Sequence, residues 1–315
     1  MSLINAFCGV AGMTAESLPD AESYRGWRSP SRALRAASDA IPPSGLVLLG
    51  ILSVQVGAGL AKNLFTQLSP SAVVFLRIAT SAVMLLAVVR PKVRGLSRRD
   101  LAVGVAFGLS LGLMNLSFYE ALARLPIGIT VAIEFIGPLT LAVVSSRRRL
   151  DLLWVGLAAA GVILLAPWGD AGTASWIGIG FAALAGTFWA AYIVFSAATG
   201  ARFPGASGLS FAMIVSTIVV APIGVTAGGS DLLRPEILLV GAGVGLLSSV
   251  IPYSLELEAL RRMPKRVFGI LMSLEPAAAA LVGLFVLHEV LQVREWAAIG
   301  CVVVASIGAT RAGDG

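Results

Sequence analysis

Glu134 stands in a stretch, Met114–Ser146, that is apolar almost throughout, and Pro138 follows it four residues later. A carboxylate in hydrocarbon costs on the order of a few kcal/mol. A proline cannot donate the backbone hydrogen bond that the carbonyl four residues before it would receive. A charge and a freed carbonyl therefore coincide at one depth. In a membrane such a break is tolerated where the backbone lines a cavity or is buried in protein. The combination recurs in Met263–Gly283, which carries Glu275 and Pro276. Two acidic, proline-broken helices point to a central site built by two halves, with Pro138 and Pro276 as its pliable points.

Two cations lie inside apolar runs as well: Lys62 toward the end of the first, Arg77 early in the second. With Glu134 and Glu275 they balance to zero. One chemistry for such a set is recognition of a zwitterion, the cations taking its carboxylate and a glutamate its ammonium. The other is structural: buried ion pairs that fix helix register, or, for Arg77, a long side chain snorkelling from a helix end. Residues at helical spacing on the same faces extend the candidate binding set to Gln55, Asn115, Tyr119, Tyr253 and Glu256. Burial disfavours the charged form of a carboxylate, which makes Glu134 and Glu275 the candidates for carrying a proton. Small residues also mediate helix packing, the simpler account of Gly104, Gly108 and Gly112. Glu120 and Glu258 fall near run ends and read as solvated boundary charges, and His288-Glu289 as interfacial.

Other chemistries find no support. Gly108–Gly112 matches a nucleophile-elbow pattern but lies inside a helical run rather than on a strand-to-helix turn, and the single histidine, His288, is far along the chain. Gly241–Gly245 lacks the strand and third glycine of a dinucleotide loop. No metal-ligand spacing occurs, so neither metal nor cofactor is expected, and the chain does not read as an enzyme. Cys8 and Cys301 read as unpaired thiols.

The elements that must hold these residues follow from composition. The chain is 57% hydrophobic and 13% charged, against about 25% charged residues in soluble domains, with a mean hydropathy of +0.90. This is an all-α integral membrane protein whose solvent is lipid. Ten apolar runs are each about long enough to cross a bilayer core: 44–65, 70–89, 101–122, 126–146, 150–167, 174–197, 206–226, 235–258, 265–287 and 294–311. Residues 1–43 form a basic tail, expected to be a disordered cytoplasmic segment rather than a signal peptide. With that tail inside, lysine and arginine crowd the inner segments (the tail, 90–99, Arg147–Arg149, 261–266), whereas the outer loops hold Arg124, Arg234 and Arg294. The bias puts both termini in the cytoplasm. The net charge of +6 is thus spent on topology and implies no nucleic acid.

An internal repeat underlies the runs. Glu120–Pro126 (EALARLP) echoes Glu258–Pro264 (EALRRMP) at an offset of 138, which also brings Pro138 onto Pro276. Each half, 44–168 and 174–311, then holds five helices. The odd number forces opposite orientations, the inverted-repeat plan of many secondary transporters.

Particular stretches resemble a known family. Ser53–Lys62 (SVQVGAGLAK), Met114-Asn115 with Phe118-Tyr119, Ala132–Pro138 (AIEFIGP), Ser145–Arg148 (SSRR), Pro252–Glu256 (PYSLE), Leu271–Pro276 (LMSLEP) and Ala305-Ser306 are similar to the bacterial threonine and homoserine exporters, of the EamA-type branch of the drug/metabolite transporter superfamily. The resemblance runs from about residue 44 to 311. It implies proton-driven export of small neutral amino acids across the bacterial inner membrane by alternating access. Departures from the family pattern are Glu120, Glu258, His288 and the N-terminal extension. The alternative on the same fold is an exporter of other metabolites or cationic drugs. The partners expected are an amino acid, protons and membrane lipid.

Overall fold

The structure, a computed structural model, describes residues 41–91, 94–145, 151–165, 175–203, 207–263, 268 and 271–312. The tail up to Ala40 and the Arg147–Arg149 loop lie outside the described residues. Among the described residues every regular element is helical.

The breaker residues do their expected work at helix starts. Pro43 opens α1 (Pro43–Asn63). Pro70 opens α2 (Pro70–Val88) behind Ser69, whose hydroxyl accepts the N–H of Ala72, and proline fits there because a first-turn N–H has no helical partner. Ser97 and Asp100 cap α3 (Arg98–Leu122) reciprocally, satisfying two donors that the helix cannot.

The run expected at 126–146 is two helices, α4 (Ile127–Glu134) and α5 (Ile136–Ser145), meeting at Phe135. Next come α6 (Asp151–Leu165), α7 (Trp176–Gly200) and α8 (Ser207–Gly228). The run expected at 235–258 is also divided. α9 (Pro235–Gly245) passes through a π-helical segment, Leu246–Val250, into α10 (Ile251–Arg262). α11 (Glu275–Val286) follows a turn at Ser273-Leu274, and α12 (Val293–Ala312) ends the bundle.

Among the described residues five segments are long and apolar enough to cross a membrane: Pro43–Thr66, Pro70–Ala87, Arg98–Leu122, Trp176–Gly200 and Ser207–Leu233. Shorter apolar helices accompany them, at Ile127–Leu141, Pro235–Val250 and Glu275–Val286. Apolar side chains such as Val83, Ile218, Leu239 and Phe285 point outward, as a lipid-facing surface requires.

α3 packs chiefly on α7, α1 on α10, α2 on α8, α4 on α11 and α6 on α12. These pairings map onto one another when the five runs of the first half are exchanged with the five of the second, α4–α5 and α9–α10 each counting as one run. The Gly104–Gly112 stripe meets Phe211, Val215 and Ser216 of α8, the close packing that small residues allow.

Candidate functional site

The three broken helices meet around a cavity of about 380 Å³, within the roughly 300–1,000 Å³ of small-molecule sites. Its polar wall is Gln55 of α1, Arg77 of α2, Asn115 of α3, Glu134 at the end of α4, Ser248 in the π segment, Glu256 of α10 and Glu275 at the start of α11. Met114, Phe118, Phe135, Trp189, Tyr192 and Met272 contribute much of the apolar wall. Phe135 and Trp189 stand edge to face with centroids 5.2 Å apart.

Glu134, Ser248 and Glu275 are placed by breaks in their helices. Pro138 leaves the Glu134 carbonyl without its helical donor, and that carbonyl lies against the backbone of Gly186 in α7. A Cβ on Gly186 would come within 2.5 Å of the oxygen, so glycine is what allows the broken helix to approach. The Glu134 side chain is 8% exposed, makes no hydrogen bond among the described residues, and lines the cavity. It stands at the C-terminal end of a short helix, where partial negative charge favours a cation. Glu275 is the first residue of α11, with Pro276 second. It too is 8% exposed, and at a helix N-terminus its negative charge is favoured. One of its oxygens accepts from Gln55 Nε2 at 3.2 Å; the other has no partner among the described residues. Glu256 makes no hydrogen bond among the described residues.

Arg77 is the cation of the site. Its Nη1 donates to Asn115 Oδ1 at 2.7 Å and its Nη2 to the Ser248 carbonyl at 3.0 Å. Its guanidinium lies 5.6 Å from the Tyr119 ring centroid. Asn115 is held in turn by its own Nδ2, which donates to the Leu111 carbonyl at 2.8 Å.

Of the residues expected to bind a ligand, the cavity brings together Gln55, Arg77, Asn115, Glu134 and Glu256, with the expected proton carrier Glu275 beside them. Lys62 is elsewhere. It lies two helical turns beyond Gln55, about 10 Å along the axis, and its Nζ donates to Glu289 Oε1 at 2.6 Å and to the Leu125 carbonyl at 2.7 Å. The second Glu289 oxygen accepts the N–H of Ile127, the first residue of α4, at 2.9 Å. A lysine in an apolar helix needs a counter-charge, and this one finds it in a protein carboxylate, so it is not a cavity cation. Tyr119 is fully buried and stands behind Arg77 rather than on the cavity wall. The side chain of Tyr253 lies outside the described residues. Pro138 and Pro276 each sit in the first turn of the helix after a break. Trp189 and Tyr192, missed as site residues, were visible as an aromatic stripe at helical spacing on α7. Ser248 contributes its backbone, and its side chain gave no signal.

Comparison with known proteins comes to the same region of chemistry. The profile described as the EamA-like transporter family matches residues 176–311. The threonine/homoserine exporter RhtA of Escherichia coli (strain K12) is 38% identical over 269 residues, covering 85% of this chain and 91% of that protein. RhtA of Salmonella typhimurium (strain LT2) is 39% identical over the same shares. A protein of known crystal structure aligns with a TM-score of 0.53 at 18% identity, over 86% of this chain and 98% of that one, a likeness of fold alone.

Proposed function

The chain belongs to the EamA-type family of the bacterial threonine/homoserine exporters, and from that premise we propose that it exports small neutral amino acids across the bacterial inner membrane. The observation that carries this reading is the cavity between the two halves, holding one guanidinium and carboxylates without a cationic partner among the described residues. Arg77 takes the carboxylate of the amino acid, with Asn115 beside it. Glu134 takes the ammonium group. Phe135, Trp189 and Tyr192 bound the space left for a short side chain. A proton entering Glu134 or Glu275 neutralises the carboxylate and releases the ammonium.

Alternating access follows from the halves 44–168 and 174–311 moving against each other, with bending at Pro138 and Pro276. The helix pairings exchanged between the halves support this. Both termini are cytoplasmic, so the contacts of Lys62 and Glu289 seal the outer side while the cavity is loaded from within.

The test is efflux of labelled threonine and homoserine from proteoliposomes, with and without an imposed pH gradient. Wild type should show gradient-stimulated efflux, and Glu134→Gln should lose it. Equal rate and pH dependence in the variant would remove Glu134 from the mechanism. A second reading, export of cationic metabolites or drugs, is favoured by the excess of Glu134, Glu256 and Glu275 over Arg77. Transport of an organic cation without transport of either amino acid would establish it instead.

A further inference from the structure

Arg77 lies on a face of α2 that packs against backbone carbonyls of the opposite half. Arg77 Nη2 donates to the Ser248 carbonyl at 3.0 Å. The hydroxyls of Thr80 and Ser81, which lie 2.7 Å from the Leu76 and Arg77 carbonyls of their own helix, also stand 3.2 Å from the Gly241 and Gly245 carbonyls. Gly245 lets α2 come this close: a Cβ there would meet Thr80 Oγ1 at 2.5 Å and Ser81 Oγ at 2.9 Å.

The bond from Arg77 has a local cause. In an α-helix the donor to the Ser248 carbonyl would be the N–H of residue 252. That residue is Pro252, which has none. The backbone just before it runs as a π-helical segment, Leu246–Val250, where the Ile251 N–H reaches the Leu246 carbonyl. In that register the missing N–H would fall to the Leu247 carbonyl. Pro252 thus frees both oxygens, and Ser53 Oγ takes that of Leu247 at 2.7 Å. A carbonyl deprived of its helical donor at membrane depth requires another. A guanidinium meets that need with a charge-assisted bond and is itself oriented by it.

We infer that Pro252 is a positioning residue for carboxylate recognition. By withholding its N–H from the Ser248 carbonyl it reserves that oxygen for Arg77, and Asn115 Oδ1 on the opposite side completes a two-point clamp on the guanidinium. The remaining Nη hydrogens are then held at the cavity wall in one orientation, while Nε is buried and has no partner among the described residues. This inference rests on the proposed role of Arg77 as the anchor for the substrate carboxylate.

In Pro252→Ala the new N–H competes for the Ser248 carbonyl, and the clamp loosens. Alanine is favourable in a helix, so the substitution is not expected to impair folding. The experiment measures binding of labelled threonine to the purified protein and its displacement by threonine or by threoninol, in which the carboxylate is replaced by a hydroxymethyl group. Wild type should prefer threonine. Pro252→Ala should weaken threonine binding about tenfold, the scale of one hydrogen bond to a charged group, and leave threoninol binding unchanged.

Equal weakening of both ligands would mean that Pro252 serves general packing, and would overturn the inference. Arg77→Gln separates the two levels. If it abolishes the preference for threonine while Pro252→Ala keeps it, Arg77 is the anchor and Pro252 does not position it. If Arg77→Gln keeps the preference, the anchor assignment falls and the inference falls with it. Wild-type protein that binds no threonine overturns the substrate assignment itself.

Discussion

With both termini inside, as proposed above, Glu289→Gln should open the outer face of the protein. Glu289 holds three chain segments together: its Oε1 accepts from Lys62 at the end of α1, and its Oε2 accepts from the Ile127 N–H at the start of α4, while Lys62 also donates to the Leu125 carbonyl. The glutamine amide oxygen can still accept from Lys62, but the bond is no longer between charges. The amide nitrogen cannot accept from Ile127, so that bond is lost. Side-chain exposures of 22% for Lys62 and 15% for Glu289 place the pair between a screened surface pair and a fully buried one. A loss of about 2 kcal/mol follows from one missing bond and one weakened charge-assisted bond. If these contacts exist only in the outward-closed state, the equilibrium moves toward the outward-open state by roughly thirtyfold. The assay is labelling of Met114→Cys, a cavity position, by a membrane-impermeant maleimide applied from outside, in a background with Cys8 and Cys301 replaced. The labelling rate should rise in Glu289→Gln and in Lys62→Gln, and return toward the parent rate when the charges are exchanged in Lys62→Glu/Glu289→Lys. Unchanged labelling in both single variants, in protein that remains folded, would refute the assignment of this pair as an outer closure.

Other substitutions test the remaining parts. Gly186→Ala forces a methyl group against the Glu134 carbonyl and should lower stability by about 1–3 kcal/mol, read as thermal unfolding in detergent, with weaker threonine binding in the surviving protein. Ser97→Ala removes the capping box of α3 at the opposite end from Lys62 and should cost about 1 kcal/mol of stability while leaving transport per folded molecule unchanged. Lys62→Gln should leave threonine affinity near wild type, whereas a cavity-lining cation would lose it.

The parts of the site that were legible in the sequence are those whose cause is local. A proline four residues after a glutamate in an apolar run announces a freed carbonyl and a charge, and the structure breaks the helix at Phe135, beside both. Glu275-Pro276 announces the same for the start of α11. The π segment before Pro252 was not legible, because the run from 235 to 258 stays apolar enough to pass for one helix. What meets that segment is α2, whose Arg77 takes the Ser248 carbonyl from far away in the chain. Lys62 shows the same limit from the other side. Its need for a counter-charge was visible, but the choice between a ligand and a protein carboxylate depends on Glu289, more than two hundred residues away, and no local pattern encodes that contact.

The repeat offset of 138 goes further than the motif that revealed it. Applied to the cavity wall, it pairs Val54 with Tyr192, Gln55 with Ile193, Met114 with Pro252, Phe118 with Glu256 and Glu134 with Met272, and all of these residues line the cavity. Equivalent positions of the two halves therefore surround one space, as a two-fold relation between halves demands. The side chains at those positions do not obey the two-fold. Where one half offers Glu134 the other offers thioether, and where one offers Glu256 the other offers a phenyl ring. A cavity symmetric in chemistry as well as in backbone would hold a ligand with unlike ends equally well in two opposed orientations. Confining the guanidinium to α2 and replacing the equivalents of Glu134 and Glu256 with apolar groups removes that degeneracy. In the transport cycle proposed above, the backbone symmetry would supply two breaks that bend in concert and the departure from symmetry in the side chains would supply direction, an amino acid entering with its carboxylate toward Arg77 and its ammonium toward Glu134.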